Sequence, residues 1–204
     1  ATSMDLINYG AGNIASIVNI YEYLGFDVRL ISTPDAILSS KKLILPGVGA
    51  FDAAMQGLCE RGLVDSIKEA VNSKKVPILG VCLGMQLLGE NSAEGKLSGL
   101  GLIKARSMSL EALGTNSKIP NMGWAKVDSR ENTKLFSFSD EHNRFYFAHS
   151  YFMDCVNTED IAATISLGRN ICVAIERENI FGVQFHPEKS HSSGLALLQC
   201  FAEI

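Results

Sequence analysis

The chain has 204 residues, 47% of them apolar and 20% charged, with a formal net charge of −4 and a pI near 5.6. This composition is that of a globular protein, and basic residues run no longer than pairs such as Lys41-Lys42, so nucleic acid is not an expected partner. No stretch approaches the ~18 continuous apolar residues of a membrane span, and no basic segment leads into an apolar run near Met4, so a soluble cytoplasmic protein is expected.

Short apolar runs alternate with amphipathic stretches in the first half. Residues 4–8 read as a buried strand, and residues 13–24 as a helix carrying Ile14, Ile17, Val18, Tyr21 and Leu24 on one face. Gly25 stops that helix. Residues 28–31 and 43–45 read as strands, residues 51–71 as helix with breaks near Gly57 and Gly62, and residues 77–81 as a fourth strand. Strands separated by helices imply right-handed crossovers and a mainly parallel sheet. After Gly99, the runs at 123–127, 144–148, 161–167, 172–176 and 180–185 follow one another with little helical pattern between them, and read as antiparallel strands appended to that sheet. A helix over about 192–201 closes the chain. The expected fold is one α/β domain over residues 1–204, an open, mainly parallel twisted sheet with flanking helices and appended antiparallel strands.

Five cysteines (Cys59, Cys82, Cys155, Cys172 and Cys200) are odd in number, scattered and without C-x-x-C spacing. They read as reduced thiols, not as a disulfide frame or a zinc site, and no metal is expected. Cys82 stands apart. The run Pro77-Ile-Leu-Gly80-Val-Cys82-Leu-Gly84-Met-Gln86 is an apolar strand entering Gly-x-Cys-x-Gly and then a short helix. This is the nucleophile-elbow pattern with cysteine in place of serine. Its flanking glycines leave room on a cramped turn. The turn sets the sulfur at a helix start, where backbone N–H groups favour an anion, and the Leu83 N–H can help hold a developing oxyanion.

A thiol nucleophile needs a base. The run at 180–185 ends in His186-Pro187-Glu188, where Pro187 stops the strand and fixes a turn. His186 thus falls at the carboxyl edge of the sheet, where an elbow exposes its nucleophile. Glu188 can hold one ring nitrogen so that the other faces Cys82. His149 ends another apolar run but has no neighbouring carboxylate, His142 lies in a polar run, and His191 opens the last helix. Gly10-Ala-Gly12-Asn-Ile-Ala15 matches a dinucleotide fingerprint, yet the next strand ends in Leu30-Ile31-Ser32-Thr33 without the required acid, so a tight strand-to-helix turn is the expected reading and no cofactor is assigned. A cysteine peptidase would use the same elbow and imidazole but does not call for Gln86 or a Pro-Gly-Val-Gly loop.

Together these segments resemble the class I (triad) glutamine amidotransferases, through Gly80-Val-Cys82-Leu-Gly84-Met-Gln86 and His186-Pro-Glu188. Within that family they are most similar to the glutaminase subunits of imidazole glycerol phosphate synthases, through Asn8-Tyr-Gly-Ala-Gly-Asn13, Leu45-Pro-Gly-Val-Gly-Ala-Phe51, Asn121-Met-Gly-Trp124, His149-Ser-Tyr151 and Gln184-Phe-His-Pro-Glu-Lys-Ser190. The resemblance runs from Asn8 to Phe201. It implies a flavodoxin-like α/β fold and hydrolysis of glutamine through a Cys82 thioester, with His186 and Glu188 completing a triad. It places glutamine against Gly47, Gln86 and the backbone of His149, Ser150 and Tyr151. It also implies an oxyanion hole of Leu83 with Val48 and Gly49, completed after a peptide turns over. The implied partner is a (β/α)₈ barrel synthase receiving the ammonia, faced by Trp124, Tyr146 and Lys189. One departure is Asn8, where the family usually has aspartate; this leaves open a paralogous subunit feeding another acceptor, such as a nucleotide-linked sugar.

Overall fold

The computed structural model describes residues 3–116 and 118–204; Ala1, Thr2 and Ser117 lie outside them. Five parallel strands make its centre: β1 (Ser3–Ile7), β2 (Asp27–Ile31), β3 (Leu43–Leu45), β4 (Ile78–Val81) and a late strand, β13 (Ile180–Val183), in the order β2-β1-β3-β4-β13. The connecting helices are α1 (Ile14–Tyr23), α2 (Pro34–Ser39), α3 (Phe51–Glu60), α4 (Leu63–Lys68) and α5 (Leu83–Leu87). The period of two along the strands sends alternate residues to opposite layers. Leu43, Leu45 and Ile78 pack with Phe51, Leu58, Leu63 and Met85, whereas Ile44, Leu79 and Val81 pack with Ile17, Tyr21 and the last helix, α6 (His191–Ala202). Both faces are covered, as a parallel sheet requires.

Beyond β13 the sheet continues through β12 (Asn170–Arg177), β10 (Tyr151–Cys155), β6 (Ala105–Ser109) and β5 (Asn91–Ser92). The β13–β12, β12–β10 and β10–β6 pairings are antiparallel, and β11 (Ile161–Ser166) with β8 (Asp128–Ser129) branches off β12. Eleven strands share this sheet.

Three sequence expectations change. The run at 180–185 is not simply an antiparallel addition: β13 pairs parallel with β4 on one side and antiparallel with β12 on the other, so it joins the two regions. The runs at 123–127 and 144–148 do not join the main sheet at all. They form a separate antiparallel ribbon, β7 (Asn121–Lys126) with β9 (Arg144–His149), because the inward face of β9 is phenylalanine that packs on the sheet instead of pairing with its edge. Helix α2 was not expected, though Thr33-Pro34 marks its start: the Thr33 side chain accepts the Ala36 N–H and Pro34 occupies the first turn. Of the two expected helix breaks, Gly62 makes one in the left-handed conformation, while Gly57 lies inside α3. The Gly10–Ala15 segment is the tight turn expected of it, passing so close under Pro46 that a Cβ on Gly12 would lie 2.8 Å from the proline ring.

Aromatic packing fastens the ribbon to the sheet. Phe185 stacks on Phe145 at 4.0 Å between centroids and meets Phe147 edge-on at 5.7 Å, with Phe136 against both Phe145 and Phe185. Among the described residues no helix is long and apolar enough to cross a membrane. Phe185→Ala should cost about 3–5 kcal/mol in urea unfolding, from the buried ring and the cavity it leaves, with Phe185→Leu losing clearly less. An Ala variant as stable as its parent would mean that the ribbon is not held by this cluster.

Candidate active site

Cys82 follows β4 directly and carries φ 57° and ψ −115° immediately before α5. That left-handed backbone is costly for a residue with a Cβ and persists only where its surroundings over-determine it. Here they do. The strand below and the helix above approach so closely that a Cβ on Gly84 would lie 1.9 Å from the Leu45 carbonyl oxygen, and one on Gly80 would lie 2.6 Å from that of Gly84. The Cys82 N–H donates to the Val183 carbonyl at 2.8 Å, tying the bend to β13.

His186 lies three residues beyond β13. Its Nε2 is 3.4 Å from Cys82 Sγ, and its Nδ1 is 3.2 Å from Glu188 Oε1. The side chains of His186 and Glu188 are 7% and 2% exposed. Burial alone would push the imidazole pKa down. The hydrogen bonds and charges of Cys82 and Glu188 together outweigh it and raise the value from 6.5 to about 10, so an imidazolium is held between the two groups. The backbone of His186 is clamped as well: its N–H donates to the Tyr146 carbonyl at 2.9 Å, and its carbonyl accepts the Ser190 hydroxyl at 2.6 Å.

A cavity of about 290 Å³ opens over the sulfur. Val48, Gly49, Leu83 and Gln86 line it, as do His149, Ser150 and Tyr151. Gly47 lies behind this wall, its carbonyl accepting the Leu83 N–H at 3.2 Å. The amide expected to face an oxyanion is therefore occupied by the neighbouring loop. Gln86 is buried and donates to Gln184 Oε1 at 3.0 Å, while Gln184 Nε2 reaches Cys82 Sγ at 3.8 Å. Both ring nitrogens of His149 are engaged away from Cys82. Its ring is fixed by the Tyr151 carbonyl on Nδ1 (2.8 Å) and the Asn121 amide on Nε2 (3.1 Å), and burial, with the nearby His186 charge, pulls its pKa down.

Trp124, Tyr146 and Lys189 lie outside the cavity. Trp124 is 42% exposed, meets Tyr146 edge-on at 6.1 Å and stacks on the His191 ring at 5.3 Å, while Lys189 is exposed in the turn after His186. His142 is half-buried, and Asn8 is exposed just past β1 without lining the cavity. Sequence reasoning missed four residues of the cavity wall, Glu94, Pro120, Ala148 and Gln184. Gln184 carried a usable signal, a polar residue inside the apolar run Phe181-Gly-Val-Gln-Phe185. Glu94 carried none, since it sits in a polar loop; the fold alone brings its carboxylate to the cavity wall.

A parallel sheet with a cysteine elbow, an adjoining imidazole and a carboxylate behind it defines the triad class of α/β amidohydrolysing proteins. Residues 5–203 match the class I glutamine amidotransferases, and the chain belongs to that family of enzymes. It is 42% identical over 201 residues to the imidazole glycerol phosphate synthase subunit HisH of Leptospira interrogans, covering 98% of each chain. It is 44% identical to the subunits named HisH 2 of Methanococcus maripaludis, over 196 residues and 96% of each chain, and of Pseudomonas aeruginosa, over 199 residues and 98% of each. Among solved structures, PurLQS from Thermotoga maritima superposes with a TM-score of 0.76 at 17% identity, covering 99% of this chain and 98% of that one. A crystal structure titled glutamine amidotransferase gives 0.74 at 15% identity, covering 98% and 99%. At such identities these two likenesses speak for the fold.

The charge balance at His186 is measurable by NMR of its ring nitrogens. The imidazolium signature should persist through neutral pH and titrate only toward about 10. In Cys82→Ala one of the two supports against burial is lost, so the midpoint should move down. An unchanged midpoint would mean that Cys82 does not stabilise the imidazolium.

Proposed function

We propose that this chain is the glutaminase subunit of an imidazole glycerol phosphate synthase, acting in histidine biosynthesis in the cytoplasm. The reading is carried by one arrangement: Cys82 Sγ against His186 Nε2 at 3.4 Å, with Glu188 on the opposite ring nitrogen, and Cys82 and His186 both lining one cavity. The HisH relatives, alike over nearly their full length, support the choice of synthase.

Glutamine enters with its carboxamide over Cys82. Its α-ammonium requires an anion, and among the described cavity-lining residues Glu94 is the one carboxylate. The thiolate attacks the amide carbon, the C–N bond breaks, and the His186 imidazolium protonates the departing nitrogen, which leaves as ammonia. Neutral His186 then draws a proton from water, which attacks the thioester and releases glutamate. The Leu83 N–H serves the oxyanion only after Gly47 lets go of it. Turning the Gly47–Val48 peptide removes that carbonyl and offers the Val48 N–H in its place; Gly49, at φ +92°, flanks the rotating unit.

The partner is a (β/α)₈ barrel synthase, which takes the ammonia directly before water protonates it. Its docking surface is the outer face of the ribbon and the turn after His186. There Met122 (63% exposed), Trp124, Tyr146 and Lys189 provide an aromatic and apolar centre with a cation at its edge. Asn8, standing where the family's aspartate is usual, favours a second reading in which ammonia goes to another acceptor, such as a nucleotide-linked sugar. The synthase that co-purifies with the chain decides between them.

In the complex, Cys82→Ala should abolish glutamine-dependent synthesis and leave synthesis from ammonium salts at the parent rate; loss of both contradicts the assigned role. Lys189→Ala should weaken the complex roughly tenfold and lower partner-stimulated ammonia release, while Cys82 remains alkylatable. Unchanged stimulation would remove Lys189 from the interface.

A further inference from the structure

The first turn of α3 and the loop after β5 hold each other through two carboxylates. Glu94 Oε1 accepts the Phe51 N–H at 2.8 Å, capping a helix whose own N-cap residue, Ala50, has no side chain for the purpose. In return, Asp52 accepts the Lys96 N–H at 3.0 and 2.9 Å on its two oxygens and the Leu97 N–H at 3.0 Å. The carboxylate lies so tightly over the loop that a Cβ on Gly95 would be 2.1 Å from Oδ1. The Lys96 amide, then the Leu97 amide, holds the Asp52 carboxyl below the usual carboxylate range, so it stays ionised and gripping at neutral pH. The loop is tied further by the Glu94 N–H to Ser92 Oγ at 3.1 Å, the Ala93 N–H to the Ser107 carbonyl at 2.9 Å and the Gly95 N–H to the Ser92 carbonyl at 3.3 Å.

Asp52 itself does not line the cavity, whereas Glu94 does. The side chains from 93 to 98 are otherwise largely exposed, so few buried contacts order this segment. The Ser92 and Ser107 bonds hold the chain around and before Glu94, and the two backbone amides on Asp52 hold it just after.

We propose that Asp52 is a positioning residue for the substrate: by gripping the Lys96 and Leu97 amides it fixes the loop that aims Glu94 at the α-ammonium, and so gives the site its preference for an α-amino acid amide. This rests on the reading that the cavity takes glutamine. The contact between Glu94 and the ammonium is the same in the ground state and the transition state, because the ammonium is remote from the breaking bond. Loosening the loop weakens both equally and raises KM without lowering kcat.

The test uses the complex with its synthase and compares the parent, Asp52→Ala and Asp52→Asn on glutamine and on glutaramate, which is glutamine without its α-amino group. For glutamine, Asp52→Ala should raise KM roughly tenfold with kcat within about twofold, and Asp52→Asn, which keeps one acceptor oxygen, should lose less. For glutaramate, parent and Asp52→Ala should have the same kcat/KM, since there is no ammonium for Glu94 to meet. An unchanged KM for glutamine overturns the proposal. So does an equal loss on both substrates, which marks a merely structural role, or a loss confined to kcat. A parent complex that releases no ammonia from glutamine overturns the functional reading and the proposal with it.

Discussion

The parallel pairing of β13 with β4 is the constraint on which the site depends. Val183 lies opposite Val81, so the next residue of one strand is Cys82, and the imidazole three residues past the other arrives beside its sulfur. A one-residue slip would reverse every side chain on β13. The core forbids it: Phe181 and Val183 are buried in the layer that holds Leu79 and Val81, and Ile180 in the layer that holds Ile78. The register of these two short apolar strands, in which Gly182 lies opposite Gly80, is thus set by packing on both faces and not by the side chains of Cys82, His186 and Glu188.

The same geometry sets the two buried histidines apart. His149 and His186 are both buried and both touch the cavity, yet their charges are driven in opposite directions. Burial disfavours the imidazolium in each case. For His149 the compensation is a single carbonyl, and the neighbouring positive charge adds to the penalty. For His186 a carboxylate on one nitrogen and the sulfur on the other overcome it. With either partner removed the other still faces the ring, so the pKa falls without leaving the imidazolium unpaired.

The elbow and the His-Pro-Glu turn were legible in the sequence because they are local: Gly80, Cys82 and Gly84 lie within five residues, as do His186 and Glu188. The parallel half of the sheet was legible for a similar reason, each strand being a short apolar run beside an amphipathic helix. What escaped was non-local. The ribbon reads like any pair of half-buried strands, and only the phenylalanine packing of Phe145, Phe147 and Phe185 shows that it lies on the sheet instead of in it. The dual pairing of β13 and the approach of Glu94 depend on crossovers whose end points leave no mark on either segment.

Cys82, His186 and Glu188 are in contact while the Leu83 amide proposed for the oxyanion is occupied by Gly47, and the magnitudes explain how both can serve the proposed reaction. The Gly47 carbonyl satisfies the Leu83 N–H through one neutral backbone hydrogen bond at 3.2 Å, a contact with a net value of about 1 kcal/mol. An oxyanion donor missing at the transition state costs about 10²–10³ in rate, or roughly 3–4 kcal/mol. In the proposed reaction, a bond this weak would govern a step far more sensitive than itself. The turning segment is short, since the Tyr9 hydroxyl holds the Pro46 carbonyl at 2.6 Å on one side and Glu94 holds the Phe51 amide at 2.8 Å on the other. Between those two pins lie Gly47, Val48, Gly49 and Ala50, with the Ala50 carbonyl held by the Ala54 N–H at 3.1 Å, and Val48 is exposed at the rim of the cavity. On the proposed function, a partner docked against Val48 would have a direct route to the Gly47–Val48 peptide, while Cys82 and His186 already lie 3.4 Å apart in the free chain.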